Sequence, residues 1–403
     1  MIDTTYKQTA IGLIPSDWEV KKVRDIAKAG SGGTPSTLKK TFWNGDIRWM
    51  NSGELNLKYV YEVEGRITEE GLKKSSTTLI PVNCILIGLA GQGKTRGTCA
   101  INKVELCTNQ SICYLIPSDK IFFQYLYFNL DFRYDELRNL STGDGGRGGL
   151  NLTIINGVFI PLPPLPEQQK IASVLSTWDI AIDNCKLIIE KLKVRNKGLT
   201  QKLFTEDFEQ KHLSEIFERV TTKNTEKNQN VITISAQRGF VKQTDFFNKI
   251  IASDILDHYT LVKKGDFCYN KSYSNGYDWG ATKRLNDFEK AVVTTLYICF
   301  RLKDENQNSG NFFEYYFESG ILYKGLSKVA NEGGRAHGLL NVTSSDFFNI
   351  KIGVPTFEKQ KAIADILDKA TEELNQYQQK LQALQLQKKG LMQQLLTGKT
   401  RTV

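Results

Sequence analysis

From Ile171 onward, apolar residues recur at every third and fourth position: Ile171, Leu175, Trp178, Ile182, Cys185, Ile189 and Leu192, then Asn196, Leu199 and Leu203. This spacing draws one apolar stripe along a helix, the seam of a heptad coiled coil. A shift of 192 residues gives Ile363, Leu367, Ala370, Leu374, Tyr377, Leu381, Leu384, Lys388, Leu391 and Leu395, so the polar exceptions Asn196 and Lys388 fall at the same step. Identities keep that offset: Gln168 with Gln360, Leu175 with Leu367, Lys197-Gly198-Leu199 with Lys389-Gly390-Leu391, and Thr205 with Thr397. A long helix has therefore been duplicated within the chain. A helix with one apolar stripe must bury it, and two such helices in one chain most simply bury each other. Residues 206–356 leave the end of one helix and return to the start of the other, so the pair is expected to be antiparallel.

The repeat extends beyond the helices. Val23 and Ile26 match Leu213 and Ile216 at an offset of 190, Gly145-Gly146-Arg147 matches Gly333-Gly334-Arg335 at 188, and Leu150-Asn151 matches Leu340-Asn341 at 190. Short apolar runs at 79–89, 111–116 and 158–162 predict strands, and the aromatic stretch 122–140 predicts a helical patch. Each half thus reads as a mixed α/β globule, a Gly-Gly-Arg loop, Leu-Asn, a proline, and the helix. The expected fold class is α/β (α+β): two globular domains, 1–165 and 207–356, and two duplicated helices, 166–206 and 357–403, in a long antiparallel coiled coil with pseudo-twofold (circular) symmetry. The halves differ most in their middles, 56–120 and 225–300, as expected if the shared parts do one common job and the divergent parts face different targets.

Composition sets further bounds. At 403 residues the chain is long enough for about two to three domains. With 40% hydrophobic and 24% charged residues it has an ordinary globular composition. The N-terminal MIDTTYKQTAIG has no apolar leader core and no run is long enough for a membrane span, so a cytoplasmic location without membrane contact is expected. A net charge of +9 is compatible with a polyanionic partner. Seven scattered cysteines, no C-x-x-C pair and three histidines read as buried free thiols, with no metal site and no disulfides.

Gly88-Leu89-Ala90-Gly91-Gln92-Gly93-Lys94-Thr95 matches the phosphate-binding pattern G-x-x-x-x-G-K-[ST] after an apolar run. That chemistry requires a helix to start at Lys-Thr, so that its free N–H groups meet the phosphate. Gly97 and β-prone residues follow instead, and no strand ending in Asp follows to hold magnesium. A glycine-rich basic loop at a strand end equally suits a DNA phosphate backbone. The methyl-transfer tetrapeptide Asp/Asn-Pro-Pro-aromatic is missing, because Pro163-Pro164 lies between Leu162 and Leu165. Glu190-Lys191-Leu192-Lys193 has the letters of a nuclease site but falls on the heptad helix as a solvated face. No catalytic constellation emerges. The segment 269–284 offers amides, hydroxyls, Lys271, Lys283 and Arg284, groups suited to base edges and phosphates.

The plan resembles the specificity subunit of type I restriction-modification systems. The resemblance runs through Trp18-Glu19-Val20, Gly45-Asp46-Ile47-Arg48-Trp49, Leu150-Asn151 and above all Pro164-Leu165-Pro166-Glu167-Gln168-Gln169-Lys170-Ile171-Ala172, with Thr356-Phe357-Glu358-Lys359-Gln360-Lys361-Ala362-Ile363-Ala364 as a second copy lacking the double proline. It implies a non-catalytic subunit whose two domains each read half of a split double-stranded DNA target. Two methyltransferase subunits and, for cleavage, ATP-driven restriction subunits would assemble on it. No cofactor is expected in this chain; S-adenosylmethionine, Mg2+ and ATP would belong to the partners. Within this reading Lys94, Arg96, Arg147, Lys271, Tyr273, Asn275, Lys283, Arg284 and Arg335 are the candidate DNA contacts. A helix of about 38 residues spans roughly 57 Å, enough to place two domains on sites about one duplex turn, ~34 Å, apart. The readings set against it are a P-loop nucleotide hydrolase and a coiled-coil adaptor that binds no DNA.

Overall fold

The computed structural model describes residues 5–91, 93–141, 149–242, 256–272, 276–330 and 340–402. The chain forms two compact units, one of residues 1–186 and 379–403, the other of residues 187–378. Each contains one globule and a part of both long helices, Leu165–Phe204 and Phe357–Leu396.

In the first unit, strand Glu19–Lys22 pairs antiparallel with Phe159–Leu162, and a single helical turn, Val23–Ile26, leads into strand Ala27–Ser31. That strand edges a five-stranded sheet in the order Ala27–Ser31, Ile112–Pro117, Ile85–Gly88, Cys99–Asn102, Tyr59–Val60. The three inner strands are buried over most of their length, which accounts for their near-continuous apolar sequences. The run expected at 79–89 becomes a strand only at Ile85, because Asn83 takes a left-handed φ of 64° after Pro81 and turns the chain first. The aromatic patch forms two helices, Phe123–Phe132 and Tyr134–Asn139, which break at Arg133. A side sheet is built on Trp43–Met50, which runs into a 3-10 turn, Ser52–Leu57. Asn51 caps that turn by accepting from Gly53 N–H at 2.8 Å, while Glu54 accepts from the Asn51 N–H at 3.0 Å.

The second unit repeats the plan. Strand Glu209–His212 pairs with Lys351–Val354, the turn Leu213–Ile216 follows, and a four-stranded antiparallel sheet runs Phe217–Arg219, Ile298–Leu302, Phe267–Asn270, Ala281–Arg284. Helix Gly310–Glu318 stands where Phe123–Phe132 stands in the first unit. The correspondence reaches single hydrogen bonds: Gln168 accepts from Phe122 N–H at 2.8 Å, and Gln360, its counterpart in the repeat, accepts from Ser309 N–H at 2.8 Å. This unit also holds a hairpin, Ile232–Ser235 with Gly239–Lys242, and a second antiparallel pair, Thr260–Lys263 with Lys290–Val293.

Within each unit the long helices run antiparallel. Ile171 and Leu175 share the first core with Met392, Leu395 and Leu396. Ile363 and Leu367 share the second with Leu199, Leu203 and Phe204. Ile182, Cys185, Ile189 and Leu192 are also buried, as the seam requires. Trp178, Leu374, Leu381, Leu384 and Leu391 are half-buried. Both polar steps are satisfied: Asn196 donates to the Ala370 carbonyl at 2.8 Å, and the Lys388 ammonium lies 2.6 Å from the Asp179 carboxylate.

Candidate nucleic-acid interface

Two adjacent strands of each sheet are joined by a ten-residue loop: 89–98 between Ile85–Gly88 and Cys99–Asn102, and 271–280 between Phe267–Asn270 and Ala281–Arg284. The first residue of each loop accepts the same backbone bond. Leu150 N–H donates to the Leu89 carbonyl at 2.9 Å, and Leu340 N–H donates to the Lys271 carbonyl at 3.0 Å. The glycine-rich Lys94 segment and the amide-rich Lys271 segment, which have no sequence in common, are therefore counterparts. Each meets the Leu-Asn that follows a Gly-Gly-Arg run.

Both loops are held by their main chains. Near the end of each, a glycine takes a left-handed φ, 82° at Gly97 and 79° at Gly280. A Cβ on Gly280 would lie 2.3 Å from the Asn270 carbonyl, so this position needs glycine. In the first loop Arg138 donates to the carbonyls of Gly93 at 2.7 Å and Arg96 at 3.2 Å, and the Tyr134 hydroxyl donates to the Lys94 carbonyl at 3.0 Å. The backbone is pinned from below while the Lys94 side chain stays exposed. A preformed loop with an exposed cation can meet a phosphate with little further ordering cost.

In the second loop the half-buried Lys271 donates to the Val342 carbonyl at 3.5 Å, and the Tyr277 hydroxyl donates to Glu318 at 3.2 Å. Burial and the nearby Glu318 charge push the Tyr277 hydroxyl up to about 12, so it stays a donor at neutral pH. Lys283 and Arg284 lie on the following strand and turn towards helix Gly310–Glu318. Lys283 pairs with Glu318 and lies over the Tyr277 ring, while Arg284 donates to Asn311 at 2.6 Å and has Glu314 at 3.7 Å. The structure thus brings Lys94, Arg96 and Lys271 to equivalent loops and commits Lys283 and Arg284 to partners inside the second globule. Arg147, Tyr273, Asn275 and Arg335 lie outside the described residues.

Thr95 is followed by a turn and the antiparallel strand Cys99–Asn102, not by a helix. No helix begins at Lys94-Thr95, which removes the physical basis of the phosphate-binding match. Among the described residues no group of three His, Cys, Asp or Glu is placed to hold a metal ion. All seven cysteines are buried thiols outside any disulfide, and burial pushes the thiols of Cys99, Cys113 and Cys268 up, away from nucleophilic use. Among the described residues no helix is long and apolar enough to cross a membrane.

Two polar clusters have no counterpart among the sequence candidates. At the start of the first long helix the buried Glu167 accepts from the Trp18 indole at 3.0 Å and from Arg401 at 2.8 Å, and Arg401 also clasps Asp17 at 2.7 Å. Farther along the same helix, Asp179 holds Lys388 and Lys58. Lys388 was visible as the polar step of the seam. The partners were not, since their sequence separations are 209 and 121 residues.

Residues 15–194 and 205–386 each match the family model described as the type I restriction modification DNA specificity domain. The chain is 39% identical over 198 residues to the type I restriction enzyme MjaIX specificity subunit of Methanocaldococcus jannaschii, a match that takes in 47% of this chain and 45% of that protein. It is 26% identical to the putative type I restriction enzyme MjaX specificity subunit of the same organism, over 99% of this chain and 97% of that one. In fold it is similar to the crystal structure of the type I restriction-modification system S subunit from M. genitalium, with a TM-score of 0.56 at 17% identity over 94% of this chain and 96% of that chain. With both repeats matched by one model over most of its length, the chain belongs to the type I restriction-modification DNA specificity family.

Proposed function

We propose that this chain reads a two-part double-stranded DNA target, one part per globule, through the loops 89–98 and 271–280. The observation that carries the reading is the equivalence of those loops. They spring from the same strand pair and meet the same Leu-Asn backbone bond, yet share no sequence. A common scaffold with divergent loops is how one fold presents two different readers. In the first loop Lys94 is free to approach a phosphate; in the second, Lys271, Tyr273, Asn275 and Tyr277 bring donors and acceptors suited to base edges. Lys283 and Arg284 then support the second loop from the strand behind it.

The chain itself performs no chemistry in this reading. Methyl transfer, with S-adenosylmethionine, would belong to two modification subunits docked on it, and cleavage, with Mg2+ and ATP, to restriction subunits. In the presence of the modification partner, Lys94→Ala should weaken binding similarly on all sequences and reduce the slope of log affinity against log salt by about 1. Base preference should be retained. Absence of DNA affinity in the wild-type complex would instead identify the chain as a protein adaptor.

A further inference from the structure

The buried charges around Asp179 ask for an explanation that sequence reading by loops does not supply. Asp179 is 3% exposed on the first long helix, and its Oδ1 receives Lys388 of the second helix and Lys58 of the first globule. Lys388 is itself buried and lies 5.1 Å from the centre of the Phe128 ring on helix Phe123–Phe132. Lys58 ends the 3-10 turn Ser52–Leu57 with a φ of 61°, a conformation unfavourable for a residue with a side chain. Its carbonyl accepts from Ile101 N–H at 2.8 Å, so the residue is fixed to the edge of the sheet whose loop carries Lys94. Asp131, on the globule's own helix, is pushed up by burial and drawn down by the same two lysines. Three separate elements of one unit therefore converge on one carboxylate.

The equivalent place in the second unit is built differently. Asn196 and Thr371 occupy the positions of Lys388 and Asp179 at the repeat offset of 192. There Asn196 bonds a carbonyl on the second helix, and the globule reaches that helix by Asn311 and Tyr315, which donate to Asp368 at 3.3 and 2.8 Å. Arg284 donates to Asn311 at 2.6 Å, so this link also leads back to the strand beside the reading loop. A polar joint between globule and helix pair has been kept in both copies while its chemistry changed. An apolar contact would stabilise either junction as well, but a buried, directional polar contact fixes one geometry where greasy surfaces can slide.

We infer that Lys58, with Asp179 and Lys388, is the joint that seats the first globule on the helix pair, making Lys58 a positioning residue for one half of the DNA target. This rests on the two-part reading proposed above. The test uses the full chain with its modification partner and a set of target duplexes carrying single base changes in either half. Lys58→Met should reduce discrimination in one half at least tenfold and leave the other half unchanged. Lys58→Arg should restore it, Asp179→Asn should affect the same half, and Asn311→Leu should affect the opposite half. Amide exchange of Ile85–Gly88 and Ile112–Pro117 reports whether the globule stays folded; if Lys58→Met loosens these strands, Lys58→Gln takes its place. Unchanged discrimination in a folded variant, or an equal loss in both halves, would overturn the joint's role. A wild-type complex with no sequence preference would overturn the two-part reading and the joint together.

Discussion

Glu167 shows how much of this fold depends on single side chains. Its carboxylate is fully buried and is satisfied by Trp18 and Arg401, whose guanidinium also clasps Asp17. Arg401→Ala strands a buried carboxylate, so unfolding in urea should show a loss of about 3–5 kcal/mol, and adding Glu167→Gln should recover part of it. A loss below ~1 kcal/mol would mean that the cluster behaves as an exposed pair. Part of the loss is pH-dependent. The Arg401 hydrogen bond holds Asp17 below its ordinary value of 3.8. A carboxylate depressed in the folded state stabilises it above the unfolded value, and that contribution disappears as pH falls through the folded one. The gap between wild type and Arg401→Ala should therefore narrow as pH drops below 3.8, the opposite of what a raised carboxylate would give. The sequence offered Trp18 as part of a motif without its reason, which is the hydrogen bond to Glu167 149 residues away.

At the level of elements, the long helices were the most legible part of the chain because a repeat of period 3.5 is local and duplicated. The seam residues predicted from spacing are the ones that enter the cores at either end, whereas Leu386, off the seam, is 73% exposed. Leu175→Ala should cost about 2–5 kcal/mol by leaving a cavity in the first core, while Leu386→Ala should change stability by less than about 0.5 kcal/mol; thermal unfolding of the two variants separates them. Equal effects would contradict the seam. Strands were legible as apolar runs but not in their limits, since Asn83 delays one and Arg133 divides the aromatic helix. The loops were the least legible. Residues 89–98 and 271–280 share no sequence, and it is the strands they join and the backbone bonds to Leu89 and Lys271 that reveal them as equivalents. The phosphate-loop letters around Lys94 take their meaning from the element after Thr95, which the β-prone residues there mark as a strand and the structure shows as one.

At the level of the molecule, both long helices belong to both units, and each unit carries one globule and one of the two loops proposed to meet DNA. If the helices set the distance between the two parts of the target, adding one heptad to each at residues 186 and 378 lengthens the coil by about 10 Å. The gap in the preferred DNA should then grow by about three base pairs at ~3.4 Å each, with both half-sequences intact. Altered half-sequences with an unchanged gap would refute the ruler. The central claim, that one chain reads two separate short sequences, is tested most directly by mapping methylated adenine in cells that express this chain with its modification partner. The account predicts one motif of two specific parts divided by a fixed run of unspecified bases, of which only one part changes when residues 225–300 are replaced by those of a relative. A continuous motif, or methylation that is the same without this chain, would contradict it.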